Sequence, residues 1–334
     1  MRSAQLKMSD VARIAGVSTQ TVSRALNNAG RISPETRARV LKVVEDLGYH
    51  RNVAARTLVN RRSGIVGIIV SDTDQYAPRL TMLAVESALR AHGYGVSLIS
   101  YDHGELGQAR AAMLQSAAQG VEAILLLGAW PIEISERDRD EIGVPIVSVR
   151  GDRHDDPFSV GIDQVAGARL ATEYLLARGH ETVVHVAGPE DWLDSVLREQ
   201  GWRDTLRDAG RPIPPVRWRG DWTARSGYEI GTAFISSGGQ GSALFVANDQ
   251  MAMGVCRALI EHGVSVPGDI SVVGFDDLPE AGYYSPPLTT VRQNLSALGE
   301  RAADLALSLR SGNGGNQEGL IVPELVVDRR LSGT

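Results

Sequence analysis

Apolar residues follow two rhythms along this chain. From Gly64 onward, apolar runs of strand length alternate with stretches at helical spacing. The runs predict strands at Ile65–Val70, Val96–Ser100, Ala123–Leu127, Ile146–Val149, Val183–Ala187, Ala243–Ala247 and Ser271–Phe275. Between them the spacing predicts helices at Arg79–His92, Ala109–Gln119, Gln164–Arg178, Ser195–Ala209, Tyr228–Ser236, Gln250–His262 and Leu298–Leu309. Such alternation belongs to parallel sheets covered by helices. So many units exceed one sheet layer and predict two lobes. The Gly- and Asn-rich stretch Ser311–Gly319 reads as a loop before a last strand.

The first sixty residues hold helical patterns only. Ser9 can cap a short helix through Asp10–Ala15 whose apolar face is Val11, Ile14 and Ala15, and Gly16 permits its left-handed end. Ser18 can cap a second helix, Thr19–Leu26, with Val22, Ala25 and Leu26 on one face. Thr19, Gln20, Ser23 and Arg24 fall towards the other. Two helices joined by so short a turn form a helix-turn-helix, and those polar types hydrogen-bond base edges and phosphates in a major groove. A small helical hairpin with a polar face fits the same pattern. Ser33-Pro34 opens a third helix with Val40, Val43, Val44 and Leu47 on its apolar face, ended by Gly48. Tyr49–Val59 has no evident core. It is either a linker or a segment that orders on DNA, where Leu58 would serve as a minor-groove wedge.

Charge sharpens this division. Residues 1–62 carry 12 Lys and Arg against 4 Asp and Glu, a net +8, while the rest carries −14 of an overall −6. A basic head on an acidic body is the footprint of a nucleic-acid-binding module. The single cysteine, Cys256, excludes an intramolecular disulfide and any Cys-cluster metal site. The polar Met1–Met8 lacks the apolar core of a secretory signal, and no apolar run reaches the ~20 residues that span a bilayer. A cytoplasmic protein, nucleoid-associated when bound to its target, is expected.

The strand ends of the body are where ligands of open α/β sheets bind. Trp222 there is a flat platform or a core residue, Asp249 a helix cap or a ligand residue, and Arg198 a fork for paired hydroxyls or a solvated charge. No GxxxxGK[ST], GxGxxG after a strand, HExxH or GxSxG occurs. An α/β enzyme is thereby disfavoured. A periplasmic sugar-binding protein would suit the body but not the basic head.

Taken together, Ser9-Asp10-Val11-Ala12, Ala15-Gly16-Val17-Ser18, Thr21-Val22-Ser23-Arg24, Leu47-Gly48-Tyr49 and Asn52-Val53-Ala54-Ala55-Arg56-Thr57-Leu58 resemble the LacI/GalR family of bacterial transcription regulators. Gly220-Asp221-Trp222, Val246-Ala247-Asn248-Asp249, Gly274-Phe275-Asp276-Asp277 and Pro286-Pro287-Leu288-Thr289-Thr290 look like its lactose repressor branch. The resemblance covers nearly the whole chain. It implies a three-helix head (1–51), a hinge helix and linker (52–62) and a two-lobed periplasmic-binding-protein-like α/β core (63–334). The lobes would take about 63–162 with 293–322, and 163–292 with 323–332. It implies a repressor, not an enzyme, acting as a homodimer on a pseudo-palindromic operator, with no cofactor and no membrane. DNA contacts would come from Ser18, Thr19, Gln20, Thr21, Ser23, Arg24, Asn27, Arg31, Asn52, Ala55, Arg56 and Leu58. A sugar or sugar-like effector would meet Ala77, Arg150, Asp194, Arg198, Trp222, Asn248, Asp276, Gln293 and Leu295.

Departures narrow the effector. Arg150 stands where many relatives carry an aspartate, and would pair with Asp152 or Asp194, or favour an anionic ligand such as a sugar phosphate acting as corepressor. Leu295 replaces an aromatic wall, and Trp192 and Asp194 add an aromatic and an acid near the opening. Release of DNA on binding is the expected response to a sugar nutrient. The last residues, Leu331–Thr334, contain no leucine heptad, which favours a dimer over a dimer of dimers.

Overall fold

A computed structural model describes residues 6–27, 32–49, 62–71, 75–102, 106–128, 133–152, 157–239, 241–314 and 319–327. Arg31 and the expected hinge, with Asn52, Ala55, Arg56 and Leu58, lie outside them. The chain divides into two compact units, Met1–Ser63 and Gly64–Thr334.

The first unit holds α1 (Met8–Ala15), α2 (Thr19–Asn27) and α3 (Pro34–Asp46). Helix α1 starts earlier than the Ser9 cap implies. Lys7 is its N-cap, and the Asp10 carboxylate accepts the Lys7 N–H at 2.9 Å, so the acid three residues on closes the first turn. Gly16, at φ 64°, ends it, with Val17 N–H donating back to Ala12. Ser18 Oγ accepts the Thr21 N–H at 3.1 Å and Ser33 Oγ the Thr36 N–H at 3.2 Å, so the two remaining caps match the pattern of the sequence. Val11, Ala12, Ala15, Val22, Ala25 and Val40 make the core. Tyr49 is buried with them, so the head extends one residue into the segment read as coreless. Arg39 Nε donates to the carbonyl of Ala15 at 3.1 Å, which satisfies an open helix end and ties α3 to α1.

The second unit is built on two parallel sheets. One contains β1 (Ile65–Ser71), β2 (Gly95–Tyr101), β3 (Ile124–Leu127), β4 (Ile146–Val149) and β5 (Ser159–Val160), in the order β2-β1-β3-β4-β5. Side chains on these strands alternate between two cores. Ile68, Leu125 and Val147 pack under α4 (Tyr76–Ala91) and α11 (Leu295–Arg310). Ile69, Leu126 and Ile146 pack under α5 (Leu106–Ala118) and α6 (Glu136–Ile142). This two-sided burial explains why β1, β3 and β4 read as apolar runs, whereas the edge strand β2 is exposed or half-buried over most of its length. The two-residue β5 and the charged ERDRDEI helix α6 carry no such signal and escape the sequence pattern.

The other sheet runs β7 (Trp218–Arg219), β6 (Val184–Ala187), β8 (Ala243–Val246), β9 (Ser271–Val273). Helices α7 (Gln164–Ala177) and α8 (Leu193–Asp208) cover one face, with Trp202, Phe245 and Phe275 at the centre. Helices α9 (Ala224–Ser236) and α10 (Asp249–Glu261) cover the other. A short antiparallel pair, β10 (Thr290–Arg292) and β11 (Glu324–Val326), extends this sheet through bridges from Val273 to Thr289 and from Asp276 to Arg292. The chain passes between the sheets after β5, after β10 and again beyond Ile321, which pairs with Ile162. Among the described residues no helix is long and apolar enough to cross a membrane.

Candidate functional site

In the first unit, α2 presents Thr19, Gln20 and Arg24 as exposed side chains. None of the three has a side-chain hydrogen bond or ion pair to another described residue. Val22 and Ala25, on the opposite side, are buried. Ser18 and Thr21 are committed to each other and to the cap, with their hydroxyls 2.9 Å apart. Ser23 is half-buried, and Asn27 closes the helix.

In the second unit the carboxyl ends of both sheets open on one cleft. Two adjoining compartments occupy it, one larger than the other, and Ala77, Pro78, Trp192 and Asp194 line both. Arg150, Gln293 and Leu295 line the larger; Arg198, Trp222, Asn248 and Asp276 line the smaller. The nine residues named for the effector thus meet around one cavity.

The polar floor is a closed ring. Arg198 is 2 % exposed, far from the solvated charge its sequence context allowed. Its Nε donates to Gln164 Oε1 at 2.9 Å. Gln164 Nε2 donates to Gln293 Oε1 at 2.8 Å, and Gln293 Nε2 to Asp276 Oδ1 at 2.7 Å. Arg198 Nη2 closes the ring at 3.5 Å from Asp276 Oδ1. The guanidinium also donates to the Ala247 carbonyl and lies 3.8 Å from the centroid of the Phe275 ring. Burial raises the Asp276 carboxyl to about 6, against the pull of Arg198 and Gln293.

Backbone strain collects here. Trp222, Asp276 and Asp277 have φ of 73°, 113° and 55°, a left-handed conformation uncommon for side-chain-bearing residues. Trp222 is held by Asn248, whose Nδ2 donates to the Trp222 carbonyl at 3.0 Å while its Oδ1 caps α10 through Met251 N–H at 2.9 Å. The indole lies against Gly188, where a Cβ would come within 2.3 Å of the ring. Trp222 is therefore both core and wall, 4 % exposed. Asp249 is not the cap. It sits one residue inside α10, buried, accepting from Leu278 N–H at 2.8 Å and from the Thr290 hydroxyl. Arg150 makes a bidentate pair with Asp152, through Nε and Nη2.

Sequence reasoning passed over Gln164, Gln75 and Tyr76. Gln164 left one signal, a polar residue beside the Asp163 cap at the head of an apolar helix. Among the described residues no cluster of His, Cys, Asp or Glu is arranged to hold a metal ion.

A two-helix DNA-reading motif joined to a pair of parallel sheets around a ligand cleft defines a class of ligand-responsive regulators. Residues 7–52 match the bacterial regulatory proteins of the lacI family, and residues 172–330 match a periplasmic binding protein-like domain. The lactose operon repressor of Escherichia coli K12 is 34 % identical, over 97 % of this chain and 89 % of its own. The regulator CelR of Thermobifida fusca is 34 % identical, over 90 % of this chain and 91 % of its own. Among solved structures, the lac repressor dimer bound to operator and the anti-inducer ONPF superimposes with a TM-score of 0.84 at 32 % identity, covering 97 % of this chain and 98 % of that one. A CelR–cellobiose complex gives 0.69 at 30 % identity, covering 96 % and 98 %. The chain belongs to the LacI family of bacterial regulatory proteins.

Proposed function

We propose that this protein is a transcriptional repressor that binds a pseudo-palindromic operator as a homodimer and is controlled by a sugar or sugar-like effector in the interlobe cleft. The head takes residues 1–51, the hinge 52–62 and the core 63–334. Thr19, Gln20 and Arg24 read the major groove, and the hinge around Leu58 meets the minor groove. The carrying observation is the floor of the cleft. Arg198, Asp276 and Asn248 are fixed forks beside the Trp222 indole, the combination that holds vicinal hydroxyls and stacks on a sugar's C–H face. The bidentate partner of Arg150 supplies the opposite charge on the spot, which favours a ligand without phosphate. The protein works in the cytoplasm, turns over no sugar, and releases DNA when the effector binds.

A thermal-shift screen of neutral sugars and sugar phosphates, run with and without operator DNA, tests this reading. A neutral sugar should raise the melting temperature and should oppose the operator. A sugar phosphate that stabilises the DNA complex would replace release with corepression.

A further inference from the structure

The charges around the cleft do not cancel. Arg150 is closed on Asp152, and Arg198 is buried against Asp276. Asp194 is left over. It lines both compartments, its side chain is 39 % exposed, and its sole ion-pair contact among the described residues is Arg198 at 3.8 Å, beyond hydrogen-bond reach. Burial raises its carboxyl, against the pull of Arg198, so a cation bound beside it would restore the ionised form. Three aromatic residues share the smaller compartment with it: Tyr76, Trp192 and Trp222. The two indoles stand edge to face at 5.7 Å. Trp222 also keeps a buried indole N–H with no acceptor among the described residues. Aromatic rings beside a carboxylate favour positive charge, and the Arg198 guanidinium already lies 5.6 Å from the centroid of the Trp222 ring.

We propose that the effector carries a protonated amino group, an amino sugar in chemical class, held by Asp194 and the indoles of Trp192 and Trp222. The inference rests on the sugar reading of the cleft. The excess of acid reaches further than Asp194: the Tyr76 phenol is raised by burial and then by Glu280, Asp276, Asp249 and Asp277. A neutral sugar would supply no counter-charge to Asp194, and a phosphate would oppose it.

Calorimetric titration of the full-length protein with glucosamine and galactosamine, each beside glucose, galactose and N-acetylglucosamine, tests the proposal. The 1,4-linked disaccharide of glucosamine, beside cellobiose, covers a ligand filling both compartments. The amines should bind at least tenfold tighter than their neutral counterparts. Asp194→Asn should bring that ratio near one, and Trp192→Leu should lower it severalfold. In the unaltered protein the ratio should also fall towards one as the pH is raised through the titration of the ligand's amino group. The neutral sugar measured alongside reports any change in the protein itself, so the answer does not depend on the variants folding. Neutral sugars that bind as tightly as the amines would overturn the proposal and leave the sugar reading intact. Failure of every sugar in the panel to bind would overturn both.

Discussion

Asp276 combines three unusual properties in one residue: a left-handed backbone, a buried carboxylate and a guanidinium 3.5 Å away. With its carboxyl raised to about 6, the folded protein takes up a proton at a pH where the unfolded chain remains ionised. Its contribution to stability is therefore full below the ordinary carboxylate range and is lost as pH rises through about 6. Between pH 7 and pH 4 the unaltered protein should gain on the order of 2–3 kcal/mol relative to Asp276→Asn. Urea melts of the two proteins across that range check this; parallel curves would show the carboxyl to be unperturbed. Removing the side chain has a separate effect on function. Asp276→Ala should abolish the response to effector and leave operator affinity within about twofold. A calorimetric titration showing full-affinity ligand binding to that variant would remove Asp276 from the site.

At the scale of elements, helices α9 and α10 touch through glycines. A Cβ on Gly254 would lie 2.0 Å from the Ala224 carbonyl, and one on Gly227 would lie 2.1 Å from the Met251 carbonyl. Backbone cannot swing aside as a side chain can, so Gly254→Ala should cost about 2–3 kcal/mol, read as a lower urea midpoint at unchanged slope. Helix α2 makes the opposite demand, since its outer face needs chemistry rather than space. Arg24→Ala should reduce the preference for operator over random duplex by ten- to a hundredfold. An unchanged ratio of the two affinities would displace Arg24 from base reading. These helices were legible because their apolar spacing and capping residues are local signals, as at Ser18 and Ser33. The central strands β1, β3 and β4 were legible because both of their faces are buried. Helix α6, strand β5 and the place of Tyr49 were not, because neighbours distant in the chain decide them. The same holds for the cleft. Trp222 and Asp276 stood out as residue types at strand ends. Gln164 did not, because its role depends on Gln293, 129 residues away.

For the molecule as a whole, a +8 head on a −14 body makes DNA affinity steeply dependent on salt. Operator affinity should fall about five-hundredfold or more between 50 and 200 mM salt, the size expected for five or more phosphate contacts, whereas effector affinity should hardly move. Filter binding for the first and calorimetry for the second make the comparison. The two sites are also bound by reciprocity. An effector that weakens operator binding by some factor must itself bind the operator complex more weakly by the same factor. Unequal factors would mean that a third state, such as dissociated protomers, enters the equilibrium.

The ring of Arg198, Gln164, Gln293 and Asp276 has a sense of travel. A guanidinium can only donate and a carboxylate can only accept, so both amides between them have one permitted orientation. Reversing either would set N–H against N–H or oxygen against oxygen. Gln164 and Gln293 stand beside two of the three passages of chain between the sheets. A ligand that draws Asp276 or Arg198 out of line would break the circuit at both passages together. The ring thus resembles a keyed joint more than a set of separate contacts: it fits one way round, and it opens as a unit.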